Sequence, residues 1–226
     1  MVLFDNYQNG ATYTVKNSET LTLITHQGID KNININLNFI VEENAVLNIY
    51  NVITSNKDCI LTEDVKIIGK DAKVEIINVL LGSSNKIESN VWIHHEVEKT
   101  YSEFSNYGIA AKDAKLILNN NASIVQGAKK SVVHQKAKGL TLSKKAIIEA
   151  KPNLFIDEYD VIANHAASIG SINEEDLFYL TSRGLTTLDA TELIILGFIK
   201  PILDKITDQQ IVDKLMNDFI AVLKNR

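Results

Sequence analysis

The sequence predicts a mainly β fold, a solenoid of stacked strands with a small helical subdomain at its C-terminal end. Three observations carry that expectation. Residues 20–150 are short runs with an apolar period of two, and no helix-period segment interrupts them. A polar turn, an alanine and an alternating strand recur in that order. Beyond Gly170 the signals become those of helices.

Taken in order, residues 1–30 are strand candidates broken by polar turns, the best being Thr20–Thr25 between Asn17-Ser18 and Gln27-Gly28. Asn32–Phe39 is the cleanest strand: Ile33, Ile35, Leu37 and Phe39 share one face, and asparagines fill the other. That asparagine face suits either solvent or a ladder between coils. The recurring unit appears around Ala45, Ala72, Ala114 and, more faintly, Ala146, at spacings of 27, 42 and 32 residues. Loose periodicity suits stacked coils with insertions. An antiparallel sandwich would also give many short strands, but Asn9-Gly10 is the sole tight-hairpin signal. The solenoid is favoured.

In the C-terminal part, Asn173 followed by Glu174-Glu175-Asp176 reads as an N-cap with an acidic first turn, and Gly184 as the stop. Thr186 with Asp189 opens a second helix with a broad apolar surface, which Pro201 ends or kinks. Thr207 with Gln210 is a capping-box pattern. The last helix lines up Ile211, Leu215, Phe219 and Leu223, with Val212 and Val222 beside them. The expected division is a β-solenoid over 1–170 and a helical subdomain over 171–226.

Composition bounds the function. With 45% apolar and 23% charged residues, the 226-residue chain has the makeup of a soluble protein that buries a core. Net charge is −5 and the lysines are scattered, apart from Lys129-Lys130 and Lys144-Lys145, so no nucleic-acid footprint is present. Cys59 is the sole cysteine, which excludes an internal disulfide and a Cys-x-x-Cys cage and suits a reducing compartment. It reads as a partly buried thiol. The N-terminus lacks a signal-peptide pattern, and no apolar run reaches the ~18 residues of a membrane span. A cytoplasmic protein is expected, with no membrane partner.

The run Pro152-x-Leu154-x-Ile156-x-x-x-Asp160-Val161-x-Ala163-x-His165-x-Ala167-x-x-Gly170 resembles the core domain of the SufB/SufD proteins of iron–sulfur cluster assembly. So do Leu177-Phe178-Tyr179-Leu180-x-Ser182-Arg183-Gly184 and Gly197-Phe198. Upstream, Ser105–Ile109, Ser123–Ala128 and Leu140–Ser143 extend the likeness over the C-terminal 130 or so residues. The resemblance implies a right-handed parallel β-helix with C-terminal helices. It also implies a scaffold subunit without turnover of its own, paired through its β-helix with a SufB-type subunit. A SufC-type ABC ATPase is expected to dock on the C-terminal helices. Within the family, SufB members typically carry His-Glu-Ala-Thr at the motif histidine and a cluster-building cysteine in the C-terminal half of the β-helix. Here Ala166 follows His165, and Cys59 lies far upstream, which places the chain on the SufD side, in a form lacking the usual N-terminal helical region.

Site residues follow from both lines of reasoning. His165 is the candidate ligand for iron or a cluster at the SufB interface, since neutral imidazole binds iron and titrates near neutral pH; its alternative role is to bond the turn into the helices. Asp157, Glu158 and Asp160 read as turn residues, not as a carboxylate cluster. His94 and His95 point to opposite faces, which excludes joint chelation, and His26 and His134 have no evident partner. Arg183 is expected to bond the helix terminus or a carboxylate. The ATPase-docking surface falls on 174–200, with Leu177, Phe178, Tyr179, Arg183, Leu193 and Phe198 as its contacts; the same apolar helices would also serve to cover the solenoid's end. No phosphate-binding Gly-x-x-x-x-Gly-Lys loop or Gly-x-Ser-x-Gly elbow is present, so ATP hydrolysis belongs to a partner and no enzyme is expected. No tightly bound cofactor is expected, only transient iron or an iron–sulfur cluster in the complex. The alternatives are a self-pairing homodimer and a β-helix enzyme acting on polysaccharide, which would need paired carboxylates and exposed aromatics along the solenoid.

Overall fold

The computed structural model describes residues 2–4, 8–29, 31–206 and 209–224. Strands alternate between two parallel sheets. In chain order they are β1 (Val2–Phe4), β2 (Thr12–Val15), β3 (Thr20–Ile29), β4 (Ile33–Val41), β5 (Val46–Ser55), β6 (Cys59–Ile67) and β7 (Lys73–Ser83). They continue with β8 (Lys86–His95), β9 (Tyr101–Ala111), β10 (Lys115–Ile124), β11 (Val132–Thr141), β12 (Ile147–Ile156) and β13 (Ile162–Ser171). Odd-numbered strands form the seven-stranded sheet and even-numbered strands the six-stranded one, each strand pairing with the next of its own sheet. This is the parallel β-helix the sequence predicts. A tight two-residue hairpin has no place in it, because every neighbour in a sheet is a whole coil away.

Alternation puts Leu23, Ile49, Ile76 and Phe104 of one sheet against Ile35, Leu61, Ile87 and Leu116 of the other, all within one buried core. Each such side chain contributes about 1.5–3 kcal/mol by leaving water. The uneven alanine spacing now has a cause. Ala45 and Ala72 occupy one corner, just before β5 and β7; Ala114 and Ala146 occupy the opposite corner, before β10 and β12. Spacings of 27 and 32 are therefore single coils, and 42 is the passage between corners. At the first corner the chain turns through left-handed residues two positions before each strand: Ser18, Asn44, Asp71, Lys99 and Lys130 all have φ between 57° and 61°. Close approach fixes another residue, Gly69. A Cβ there would lie 1.9 Å from the backbone nitrogen of Glu43 in the coil below, a position no side chain can occupy.

On β4, Ile35, Leu37 and Phe39 are buried while Asn34 and Asn36 face solvent. The asparagine ladder forms on the other sheet instead, where Thr25, Asn51 and Asn78 stack in register inside the solenoid.

Three helices follow: α1 (Glu174–Ser182), α2 (Thr187–Leu203) and α3 (Gln209–Lys224). Asn173 caps α1, Thr186 caps α2, and Gly184 takes φ 94° after the first helix. Pro201 does not end α2, which runs two residues past it; so near the C-terminus the lost N–H costs a single bond. The Thr207–Gln210 pattern and the side chains of Ile211, Leu215, Val222 and Leu223 lie outside the described residues. The helices do not cover the solenoid's end. Ile195, Ile199, Ile202 and Phe219 pack on Ile24, Tyr50, Val52, Ile77, Val79 and Tyr107, the outer face of the seven-stranded sheet. Over most of their length β5, β7 and β9 are therefore buried on both faces, as strands of parallel sheets usually are. Tyr50 donates a hydrogen bond to Glu75, which also accepts from Lys205 Nζ at 2.6 Å and so pins the helices to the flank.

Candidate functional site

Because the helices lie along the flank, the last coil is left open. β13 pairs with β11 alone and β12 with β10 alone, so both strands present a free edge. Every residue of β13 except Ala163 is exposed. Around this end stand Ile147, Phe155, Ile156, Ile162 and Ile169, each more than 40% exposed. Apolar side chains beside unpaired backbone form a surface that another strand can extend.

His165 sits in the middle of β13. Its register partner on β11 is Gln135, flanked there by Val133 and Ala137, all three buried. By alternation His165 shares their inward side of the sheet, and Ala163, two residues before it, packs on the interior core. With no further coil above, the imidazole remains exposed. Gln135 donates from Nε2 to the carbonyl of Asn153 at 3.0 Å, and its Oε1 is buried without a partner.

The acidic turn before β13 is structural. Glu158 accepts from the backbone N–H of Gly127 at 2.9 Å, of Tyr159 at 2.9 Å and of Asp160 at 3.3 Å. Those amides, Gly127 first, hold its carboxyl below the usual range. The other histidines separate as alternation requires. His94 faces outward between Ser123, 2.8 Å from Nδ1, and Asp64, 3.7 Å from Nε2, and stacks on Trp92, which also stacks on Phe155. His95 is buried among Thr100, Ser102 and Ser131, and burial, then neighbouring His94, depresses its pKa to about 4. His134, without an evident partner in the sequence, meets Asn164 at 3.0 Å. His26 lies outside the residues whose side chains are described. Cys59 is buried, and that burial pushes its thiol up to about 11, so it stays protonated at neutral pH.

The residues expected to dock a partner divide. Phe178, Tyr179 and Leu193 are 74%, 53% and 49% exposed, Leu177 is half-buried, and no residue of α1 is buried. Phe198 packs its ring edge-on against Tyr107 at 5.6 Å and so belongs to the seam with the sheet. Arg183 does bond the helix end, through its backbone: it is the C-cap of α1 and its N–H donates to the carbonyl of Leu180 at 3.2 Å, while its guanidinium lies 4.5 Å from the centre of the Tyr179 ring, a cation–π contact.

One buried acid lies outside the residues that the sequence pattern singles out. Glu63 is fully buried, its carboxylate accepting from Asn51 and Asn78 of the ladder. Desolvation raises its pKa to about 7, against the lowering effect of those two amides. The signal was in the alternation, since Glu63 shares the parity of Cys59, Leu61, Val65 and Ile67.

Fold and site together define a parallel β-helix protein with helices along one flank and an open terminal coil that bears a histidine. Residues 8–198 match the family described as SUF system FeS cluster assembly, SufBD core domain, and the chain belongs to that family. It is 33% identical over 140 residues to the iron–sulfur cluster assembly protein SufD of Bacillus subtilis, covering 62% of this chain and 32% of that relative. An iron–sulfur cluster assembly SufBD family protein of Pyrococcus horikoshii is 34% identical over 149 residues, 65% of this chain and 32% of the relative. The SufD protein of Escherichia coli is 25% identical over 149 residues, 66% of this chain and 35% of the relative. The matches thus span about a third of the length of these relatives.

Proposed function

We propose that the chain is a SufD-like scaffold subunit of the SUF iron–sulfur cluster assembly complex, pairing through its last coil with a SufB-type β-helix subunit. The open coil carries this reading: two unpaired strand edges, an apolar rim and His165 share one end of the solenoid. A SufC-type ABC ATPase docks on α1 and the outer side of α2, where Phe178, Tyr179 and Leu193 stand clear of the sheet. Turnover belongs to that ATPase. Iron or a cluster is cargo, bound transiently at the interface.

The donor set fits this division. His165 offers one imidazole nitrogen, and among the described residues no three histidine, cysteine or acidic side chains gather into a metal site. Further ligands, thiolates above all, come from the SufB-type partner. Cys59, buried and protonated, is not a donor. The polysaccharide reading gains nothing from the outer aromatic face, because Glu88 there is paired with Lys86, and Glu149 with Lys115 and Lys151.

The test is a variant carrying Ile162→Lys and Ile169→Lys, two exposed positions where lysine leaves the isolated fold intact. Co-expressed with a SufB-type subunit and sized by light scattering, the wild type is expected as a heterodimer and the variant as separate subunits. A heterodimer that survives both lysines would exclude the last coil as the interface. A wild-type homodimer that excludes the SufB-type chain would favour self-pairing.

A further inference from the structure

The buried, unpartnered Oε1 of Gln135 calls for explanation. A buried acceptor left unsatisfied costs about 1–3 kcal/mol, and native structures seldom carry that cost without a use for the group. The orientation of this amide is fixed: Nε2 donates to the carbonyl of Asn153, so Oε1 is turned away from β12. Along the seven-stranded sheet its register neighbours are Phe104 on β9 and His165 on β13. Phe104 offers no donor. His165, whose exposed ring does not make this bond in the structure, can reach it by turning about its side-chain torsions, from a matched position on the next strand, where neighbouring backbones lie about 4.8 Å apart.

We infer that Gln135 is the positioning residue of His165, its side-chain carbonyl accepting one ring N–H of the histidine. That bond fixes the tautomer. One nitrogen holds the proton against Gln135, and the other turns its lone pair toward the open end of the solenoid, where a metal or a donor from a partner can meet it. Histidines that bind metal commonly need such an acceptor behind them to set ring orientation and basicity. Gln135 supplies it from a buried position beneath the exposed ring. The inference rests on the proposed role of His165, which it deepens by naming the group that prepares the ring.

The test uses the full chain alone, with no iron and no partner. With histidine labelled in 15N, long-range proton–nitrogen spectra report the tautomer of each ring, and His165→Gln identifies the signal. In the wild type a single tautomer of the neutral His165 ring is expected in alkaline solution. Gln135→Met, which keeps the volume and removes the acceptor, should shift the tautomer ratio about fivefold, the equivalent of one hydrogen bond. Gln135→Glu retains an acceptor oxygen, so it should keep one tautomer. Equal tautomer ratios in wild type and Gln135→Met, or loss of the tautomer preference in Gln135→Glu, would overturn the inference. Such a result would leave the scaffold role standing, because pairing is read separately from subunit masses. Loss of pairing would likewise leave the spectra unchanged.

Discussion

Glu63 and His95 are two buried titratable groups in one solenoid, and they act on stability in opposite directions. Burial raises Glu63 from 4.5 to about 7, so the folded chain holds its proton more tightly than the unfolded chain. Its contribution is full below pH 4.5 and is lost as pH rises through 7. Burial lowers His95 from 6.5 to about 4, so the folded chain refuses a proton that the unfolded chain accepts. That contribution is full above pH 6.5 and is lost as pH falls through 4. Each amounts to about 3 kcal/mol, and over their shared window the two nearly cancel. Glu63→Gln removes one side of the balance. Urea unfolding is then expected to show stability rising by about 3 kcal/mol from pH 4 to 6.5, against a much flatter wild type. A wild-type-minus-variant difference that does not change with pH would show that Glu63 does not titrate in this range.

At the scale of the element, the recurring unit is the corner rather than the strand. Lys99 and Lys130 adopt φ 59°, a conformation that costs a residue with a Cβ about 1–2 kcal/mol, whereas Asn44 and Asp71 occupy equivalent corners more cheaply. Lys99→Gly is expected to stabilise the chain by about 0.5 kcal/mol after the added flexibility of the unfolded state is counted, and Lys130→Gly likewise, read as shifts in urea midpoint. A fall in midpoint for both would mean that the lysine side chains hold these corners. The strands were legible because one buried face per strand forces a period of two. The corners were legible only in part. Alanine marks both kinds of corner, while Thr100, which bonds His95, and Ser131, which bonds Thr100, take its place in later coils, so no repeat is visible there. Gly69 gave no signal, since the backbone it avoids is 26 residues away in sequence. Glu63 and Gln135 have the parity of buried positions, but their polarity points the other way, since such residues ordinarily face water.

For the whole molecule, the decisive feature is where the helices lie. Sequence pattern located all three but set them over the solenoid's end instead of its flank, since an amphipathic helix does not specify what covers its apolar side. Laying them along the seven-stranded sheet separates two surfaces: an open coil at one end, and the aromatic side of α1 with Leu193 on the flank. Two surfaces suit two partners. The most direct measurement is the composition of a complex formed on co-expression with SufB-type and SufC-type subunits. It compares the wild type with a variant carrying Phe178→Asp and Leu193→Asp, both at exposed positions. A three-subunit assembly is expected for the wild type. The helix variant should keep the SufB-type subunit and lose at least tenfold in ATPase affinity for this chain, the effect of placing charge in an apolar contact. An ATPase that binds the variant as tightly as the wild type, or a wild type that recruits neither subunit, would contradict a scaffold with two separate docking surfaces.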